Sequence, residues 1–436
     1  MNIVRWRTAL VLAVGGLAAT ALSAPVTAAA VPPGSTAGQT SSAERYSPDT
    51  VIVKYKSGAS SKAQSAVEKL VGVLDSVAPI LGTGAQTVRV KGDPKAAVER
   101  LNKSAAVEYA ELNTIMTTQA TPDDPRFDEL YGLHNTGQGG GTADADIDAP
   151  EGWAAAGMDD FPATGGAKVG IVDTGIMKSH EEFQGDRIAD CGGVNNFGLS
   201  LLIIIIGADP TIVDDPAKCE DDNGHGTHVA GTIAATANNG KGVAGVAFNS
   251  SLAVCKALNA SGSGTLDMVA NCITWLNEKG ADVISMSLGG SSGSATLQSA
   301  VRKATENGSL LIAAAGNGGN SALNYPAAYP EVVSVAATDN NDEKASFSTF
   351  NEDVEVAAPG VDILSTWNDG GYRKASGTSM ATPHAAGVAA VIASANRSGS
   401  VDAWRGELGS SVDDLGSAGR DVNFGFGRVN LLKATQ

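Results

Sequence analysis

"DDNGHGTHVAGTIAATA" (residues 221–237) begins polar and broken by glycine and ends as a run of small and apolar residues. That change reads as a loop feeding a helix whose first turn carries His225. Working outward, "AKVGIVDTG" (167–175) before it and "SLAVCKAL" (251–258) after it read as strands. The alternation continues. Helices are expected at "TLDMVANCITWLNEKG" (265–280), "SATLQSAVRKATENG" (294–308) and "TSMATPHAAGVAAVIAS" (378–394). Strands are expected at "ADVISMSLG" (281–289), "SLLIAAAGN" (309–317) and "VVSVAAT" (332–338). Apolar, β-branched strands separated by helices imply an α/β fold, a mostly parallel sheet with helices on both faces. In such sheets chemistry gathers beyond the carboxyl ends of the strands.

The quoted stretch also poses a chemical question. His225 and His228 stand three residues apart, which suits either a pair of metal ligands or one working base beside a structural ring. A helical zinc pair normally stands at i, i+4 as H-E-x-x-H, and the spacing here is i, i+3 with no Glu between. No C-x-x-C spacing offers zinc an alternative site.

The rest of the chain sets the context. It has 436 residues, 43% hydrophobic, with a net charge of −17. Arg5 and Arg7, an apolar run over 8–22 and the small residues Thr27, Ala28, Ala29 and Ala30 have the three parts of a secretory signal peptide, assigned to 1–30. The apolar run is too short and Gly-broken to span a bilayer. A Pro/Gly/Ser/Thr-rich linker (31–46) follows, and then a compact segment with the order βαββαβ, the split ferredoxin-like unit, assigned to 47–118. Residues 119–436 form the main domain.

In an exported chain, four cysteines favour disulfides. Three pairings of Cys191, Cys219, Cys255 and Cys272 are possible; the expected one joins sequence neighbours, 191–219 and 255–272. Residues 31–121 carry ten Lys/Arg against eight Asp/Glu, net +2, while the chain from 122 onward carries eighteen against thirty-nine, net −21. So acidic a domain argues against a nucleic-acid partner and against anionic membranes.

Three segments fall on loops that the sheet would gather. "IVDTG" ends a strand with Asp173, "NGHGTH" places His225 at a helix start, and "SGTSMATPHAAG" places Ser379 at another. A hydroxyl needs a base to take its proton, and the base needs a carboxylate to fix its tautomer. Gly377 lets backbone and substrate come close.

Together with Asn317 in "AAAGN", these segments resemble the four signatures of the subtilisin family, in the family's order Asp, His, Ser. The likeness extends from about Asp124 to the closing "GFGRVNLLKA", on a thermitase-like pattern, and 47–118 resembles the family's inhibitory propeptide. The resemblance implies a secreted serine endopeptidase of broad specificity, made as a self-processing zymogen and working as a monomer. Asp173 would orient His225, His225 would be the general base, Ser379 the nucleophile and Asn317 an oxyanion donor, while His228 matches a structural histidine. A G-x-S-x-G elbow, the mark of an esterase or lipase, is absent around Ser379. The alternative is a non-catalytic binding protein on the same scaffold.

By the same resemblance, Gly262, Ser263 and Gly264 face Ser287, Leu288 and Gly289 across an extended peptide. Ala314, Ala315 and Gly316 would wall the primary pocket, and Asn324 would lie near its base. No acidic residue falls there, against a strict Lys/Arg preference. A calcium ion, with no organic cofactor, would be held by Asp124, Glu182, the Asn239 side chain and the carbonyls of Thr236, Lys241 and Val243. One stretch departs from the family pattern: "GLSLLIIIIGADP", whose apolar core (199–206) reads as a buried strand inside a disulfide-closed loop, or as an element reshaping the cleft. The propeptide is expected to be cut within 117–121.

Overall fold

The computed structural model describes residues 46–114, 121–201 and 204–436. The expected signal peptide, the linker up to residue 45 and all of the expected cut region except Thr121 lie outside those residues.

The N-terminal unit runs β1 (Tyr46–Tyr55), α1 (Ser61–Val71), β2 (Val73–Ile80), β3 (Ala85–Val90), α2 (Pro94–Asn102) and β4 (Val107–Thr114). Its antiparallel sheet has the order β2-β3-β1-β4, the ferredoxin-like arrangement. Local chemistry sets the helix starts. The Ser60 hydroxyl accepts from Ala63 N at 3.3 Å, and Asp93 accepts from Lys95 N at 3.0 Å with Pro94 in the first turn. A small core of Val51, Val53, Val88, Val90 and Leu101 closes the unit.

The main domain opens with α3 (Ala149–Ala155) and β5 (Lys168–Asp173). Next come β6 (Ile188–Asn196), a hairpin of β7 (Leu199–Leu201) and β8 (Ile204–Ile206), and β9 (Asp209–Val213). Alternation follows: α4 (His225–Ala234), β10 (Ser251–Lys256), α5 (Leu266–Glu278), β11 (Val283–Met286), α6 (Ala295–Glu306), β12 (Leu310–Ala314) and β13 (Val332–Thr338). Then come β14 (Val354–Pro359), a hairpin of β15 (Ile363–Thr366) and β16 (Tyr372–Ala375), α7 (Thr378–Ala395), α8 (Val401–Ser410), β17 (Val412–Asp413) and β18 (Arg428–Val429).

Ten of these strands form one sheet, β17-β18-β14-β13-β12-β11-β5-β10-β6-β9, parallel from β18 to β6 and antiparallel only at its two edges. Period-two alternation sorts its side chains onto two faces. In β12, Leu310 and Ile312 join a core with α4 and α7, while Leu311 and Ala313 join one with α5 and α6. Each such side chain is removed from water completely, and truncating one of the leucines or the isoleucine to alanine typically costs about 2–5 kcal/mol.

The apolar run 199–206, read from the sequence as one strand, is two strands outside this sheet. It pairs with itself, Leu199 with Ile206 and Leu201 with Ile204, as a separate hairpin between β6 and β9. The edge is already closed, because β6 and β9 pair directly through Gly193–Val213 and Val194–Ile212.

Candidate active site

Asp173, the last residue of β5, is fully buried, and its Oδ1 accepts from Thr174 N at 2.7 Å and bonds His225 Nδ1 at 2.8 Å. His225 is the first residue of α4. Gly224 precedes it in a left-handed conformation (φ +109°), and the Trp367 indole lies where a side chain on that residue would go. Asp221 locks the turn: it accepts from Asn223 N, Gly224 N and Thr227 N, and from the hydroxyls of Thr227 (2.6 Å) and Thr174 (2.9 Å). Burial works to raise this carboxyl, but those donors hold it below its ordinary value. The buried Lys256 ties the two segments together from the far side, donating to Thr174 O (2.5 Å) and Asp222 (2.6 Å).

Burial disfavours the charged His225 ring, yet the charge of Asp173 and its hydrogen bond outweigh that, so the imidazole is held above its ordinary value. His228 behaves oppositely. Its Nε2 faces two carbonyls, Ile363 O at 2.9 Å and Arg373 O at 3.1 Å, so that nitrogen carries the proton and donates. Burial pushes its pKa down to about 4, and the ring is neutral. The two imidazoles therefore point to separate partners.

Ser379 is the second residue of α7, just after Gly377 and Thr378. Its Oγ donates to Ser287 O at 3.2 Å, and Ser287 Oγ donates in turn to Ser379 O at 2.8 Å. Among the described hydrogen bonds, none joins Ser379 to His225; rotation of the Ser379 Cα–Cβ bond is the movement that takes Oγ off Ser287. Asn317 follows β12 and holds its amide one way round: Oδ1 accepts from Thr378 N at 2.8 Å and Thr378 Oγ1 at 3.0 Å. Among the described hydrogen bonds, Nδ2 has no acceptor. The point where a Cβ on Gly377 would stand lies 3.5 Å from Asn317 Nδ2 and 3.5 Å from Ser379 N.

Beside His225 opens a cavity of about 660 Å³. Gly262, Ser263 and Gly264 form one wall and Ser287, Leu288 and Gly289 another, while Leu258, Leu266, Val269 and Leu297 give it an apolar lining. Those four were not found by sequence reading, although Leu266 and Val269 stand three apart on α5, a spacing that puts both on one helix face. Ala315 is not on this wall. Ala315 turns into a core with Ala336, Val354, Ala357 and Phe424, because its backbone continues the β12–β13 ladder and alternation carries it away from the cleft. Gly316 is backed by Thr349 and Asn324. Asn324 packs against Gly289 and donates to Ala314 O at 2.8 Å, bridging the two strand ends.

The residues expected to hold calcium do come together. Glu182 accepts from Val243 N (3.0 Å), Tyr372 Oη (2.8 Å) and Asn239 Nδ2 (2.9 Å), and Asp124 accepts from Asn238 N and Asn239 N. Thr236 lies alongside, its hydroxyl donating to Glu182 O, while Asn239 Oδ1, the atom expected as a ligand, accepts from Lys241 N at 2.8 Å. Burial raises both carboxyls, Glu182 to about 7, and the charge of Asp124 adds to the shift on Glu182.

Comparison with known proteins places the chain in a family. The profile of the Subtilase family matches residues 164–427, and that of the fervidolysin N-terminal prodomain matches residues 32–113. The chain belongs to the subtilase family. It is 42% identical over 317 residues to thermitase of Thermoactinomyces vulgaris, spanning 72% of this chain and 99% of that one. Subtilisin DY of Bacillus licheniformis is 42% identical over 273 residues, 62% of this chain and 90% of the relative. Among solved structures, a protease from Pseudoalteromonas arctica PAMC 21717 superposes with a TM-score of 0.61 at 31% identity, covering 72% of this chain and 98% of that one. The subtilase is thus a serine endopeptidase carrying an N-terminal prodomain.

Two disulfides brace the subtilase around its candidate site. Cys191–Cys219 joins β6 to the turn before Asp221, where Cys219 O also accepts from Ile176 N at 2.8 Å, and Cys255–Cys272 joins β10 to α5. These are the sequence-neighbour pairs expected.

Proposed function

We propose that this subtilase is a secreted, self-processing endopeptidase whose reaction is carried by Asp173, His225, Ser379 and Asn317. The observation that supports it most is the 2.8 Å bond between buried Asp173 and His225 Nδ1, which leaves Nε2 as the nitrogen able to take a proton. Ser379 Oγ attacks the scissile carbonyl carbon as its proton passes to His225 Nε2, and the carbonyl oxygen becomes an oxyanion. Asn317 Nδ2 and Ser379 N donate to that oxyanion. Collapse expels the amine, which takes the proton back from His225, and water repeats the sequence on the acyl-enzyme. A fluorophosphonate should label the mature chain at Ser379 alone; an unlabelled but active enzyme would remove the triad reading.

The substrate is an extended peptide lying between 262–264 and 287–289. Main-chain pairing tolerates many sequences, and the Leu258, Leu266, Val269 and Leu297 lining adds a preference for one bulky apolar residue. A peptide-library digest should show that enrichment, and Val269→Phe should raise KM for the preferred peptides roughly tenfold with kcat little changed. Uniform cleavage of the library by the wild type counts against the preference.

Calcium binding is part of the proposal. Asp124 and Glu182 are two buried or nearly buried carboxylates with no cationic partner among the described ion pairs, a donor set of hard oxygens that suits a dication. The ion would be held by those two with Asn239 and the carbonyls of Thr236, Lys241 and Val243, and when bound it neutralises the pair and fastens residues 236–243 to the N-terminal segment. A hundredfold excess of calcium over Kd stabilises by about 2.7 kcal/mol. At roughly 2–4 °C per kcal/mol for domains of this size, chelation should lower Tm by about 5–10 °C. Glu182→Gln should abolish that dependence; a wild-type Tm indifferent to chelator rules the site out.

The remaining assignments complete the reading. Residues 1–30 are the signal peptide that directs export, 47–118 the inhibitory propeptide cut within 117–121, and 119–436 the enzyme, a monomer outside the cell. The +2 propeptide and −21 enzyme attract at long range, and the same acidity disfavours nucleic acid.

A further inference from the structure

The hairpin of β15 and β16 stands outside the main sheet, and its contacts run to α4. The Thr366 hydroxyl donates to Thr227 O at 2.7 Å and the Ser365 hydroxyl to His228 O at 2.8 Å; both side chains are fully or almost fully buried. These carbonyls belong to the first turn of the helix that begins with His225. From the other direction, His228 Nε2 donates to Ile363 O on β15 and Arg373 O on β16, so both strands are fastened to that turn. β16 ends at Ala375, and four residues later the chain reaches Ser379. The hairpin is therefore hydrogen-bonded to the element that carries the base and joined through a short stretch of chain to the residue that carries the nucleophile.

An independent feature marks the same contact. Gly231, in "HGTHVAG" (225–231), lies on α4 directly over the two hydroxyls, and a methyl group there would overlap both Ser365 Oγ and Thr366 Oγ1. Its conformation is helical, so the glycine is required by this close approach rather than by backbone torsion.

We infer that Ser365 and Thr366 are positioning residues for the reaction: their hydroxyls clamp the first turn of α4 to the hairpin leading into Ser379 and so set the gap between imidazole and hydroxyl. The inference rests on the triad reading above. The gap is where misplacement acts, because Ser379 Oγ has to leave Ser287 O and meet His225 as substrate binds. A shift of about 1 Å between reacting groups can cost on the order of a hundredfold in rate. Substrate contacts made at 262–264 and 287–289 lie elsewhere and are untouched by the clamp.

The test uses full-length, self-processed protein and a peptide substrate. Thr366→Val keeps the shape and removes the hydroxyl, and kcat is expected to fall roughly 10- to 100-fold with KM within twofold. Thr366→Ser keeps the hydroxyl and should restore kcat to within about threefold of wild type, the conservative rescue that a packing role would not give. Ser365→Ala should repeat the kcat loss should the valine variant fail to fold. Assays well below each variant's Tm separate positioning from unfolding. The inference is overturned if kcat of a folded hydroxyl-less variant stays within twofold, if serine and valine at 366 lose activity alike, or if the loss falls on KM. If the wild type itself is not labelled by fluorophosphonate at Ser379, the triad reading has failed rather than the clamp.

Discussion

Ser379→Ala is expected to lower kcat by about 10⁶-fold, the size known for removal of the nucleophile in subtilisin itself and not a figure obtained from this chain. It should also leave the precursor uncut in a host without other secreted proteases, since the same hydroxyl would release the prodomain. KM should move little, because the cavity walls at 262–264 and 287–289 do not depend on the Ser379 side chain. Stability should hold as well: the hydroxyl makes one 3.2 Å hydrogen bond, to Ser287 O, and that carbonyl belongs to a residue anchored separately through Ser287 Oγ to Ser379 O. The residual rate would come from binding and oxyanion stabilisation alone. Measuring kcat with a chromogenic peptide on variant and wild type decides the matter. A variant retaining more than about one-thousandth of wild-type kcat would mean that another group is the nucleophile.

Residues such as Asp173, His225 and Ser379 were legible because each stands where a strand ends or a helix starts, and those transitions are marked by composition. The central strands were equally plain: β12 is an unbroken apolar run, and β10 and β13 are mainly apolar, as strands covered on both faces must be. The elements missed are those that composition does not mark. β6 reads "IADCGGVNN", with two glycines where a strand should have branched side chains. Added Cβ atoms would there strike Lys218 O and Val213 O, so the glycines answer a close approach that no local pattern announces. The apolar run 199–206 carries no turn residue to mark a reversal, so it read as one strand rather than as β7 and β8. Ala315 was misplaced for a related reason: in "LLIAAAGN" both faces are apolar, and alternation holds no information about which alanine looks into the cleft.

Asn317→Asp tests the oxyanion hole more sharply than alanine does. Alanine would strand the N and Oγ1 of buried Thr378, which now share Asn317 Oδ1, and would mix a structural loss with a catalytic one. Aspartate keeps an oxygen for Thr378 and replaces only the Nδ2 donor, putting a negative charge where the oxyanion must form. The expected result is a fall in kcat of about 10²–10³-fold or more, with KM nearly constant, because the ground-state carbonyl needs that donor far less than the tetrahedral state does. That range is the one known for the matching asparagine of subtilisin, and a repelling carboxylate can only add to it. A second donor stays in place: Ser379 N stands as far from the Gly377 Cβ position as Nδ2 does, 3.5 Å, and a backbone N–H is not removed by the substitution. Catalysis should therefore be crippled rather than abolished, and Ser379 should still react with fluorophosphonate, only more slowly. If Asn317→Asp folds with unchanged Tm and keeps kcat within tenfold of wild type, the amide is a turn former that holds Thr378, and the oxyanion is stabilised by other donors.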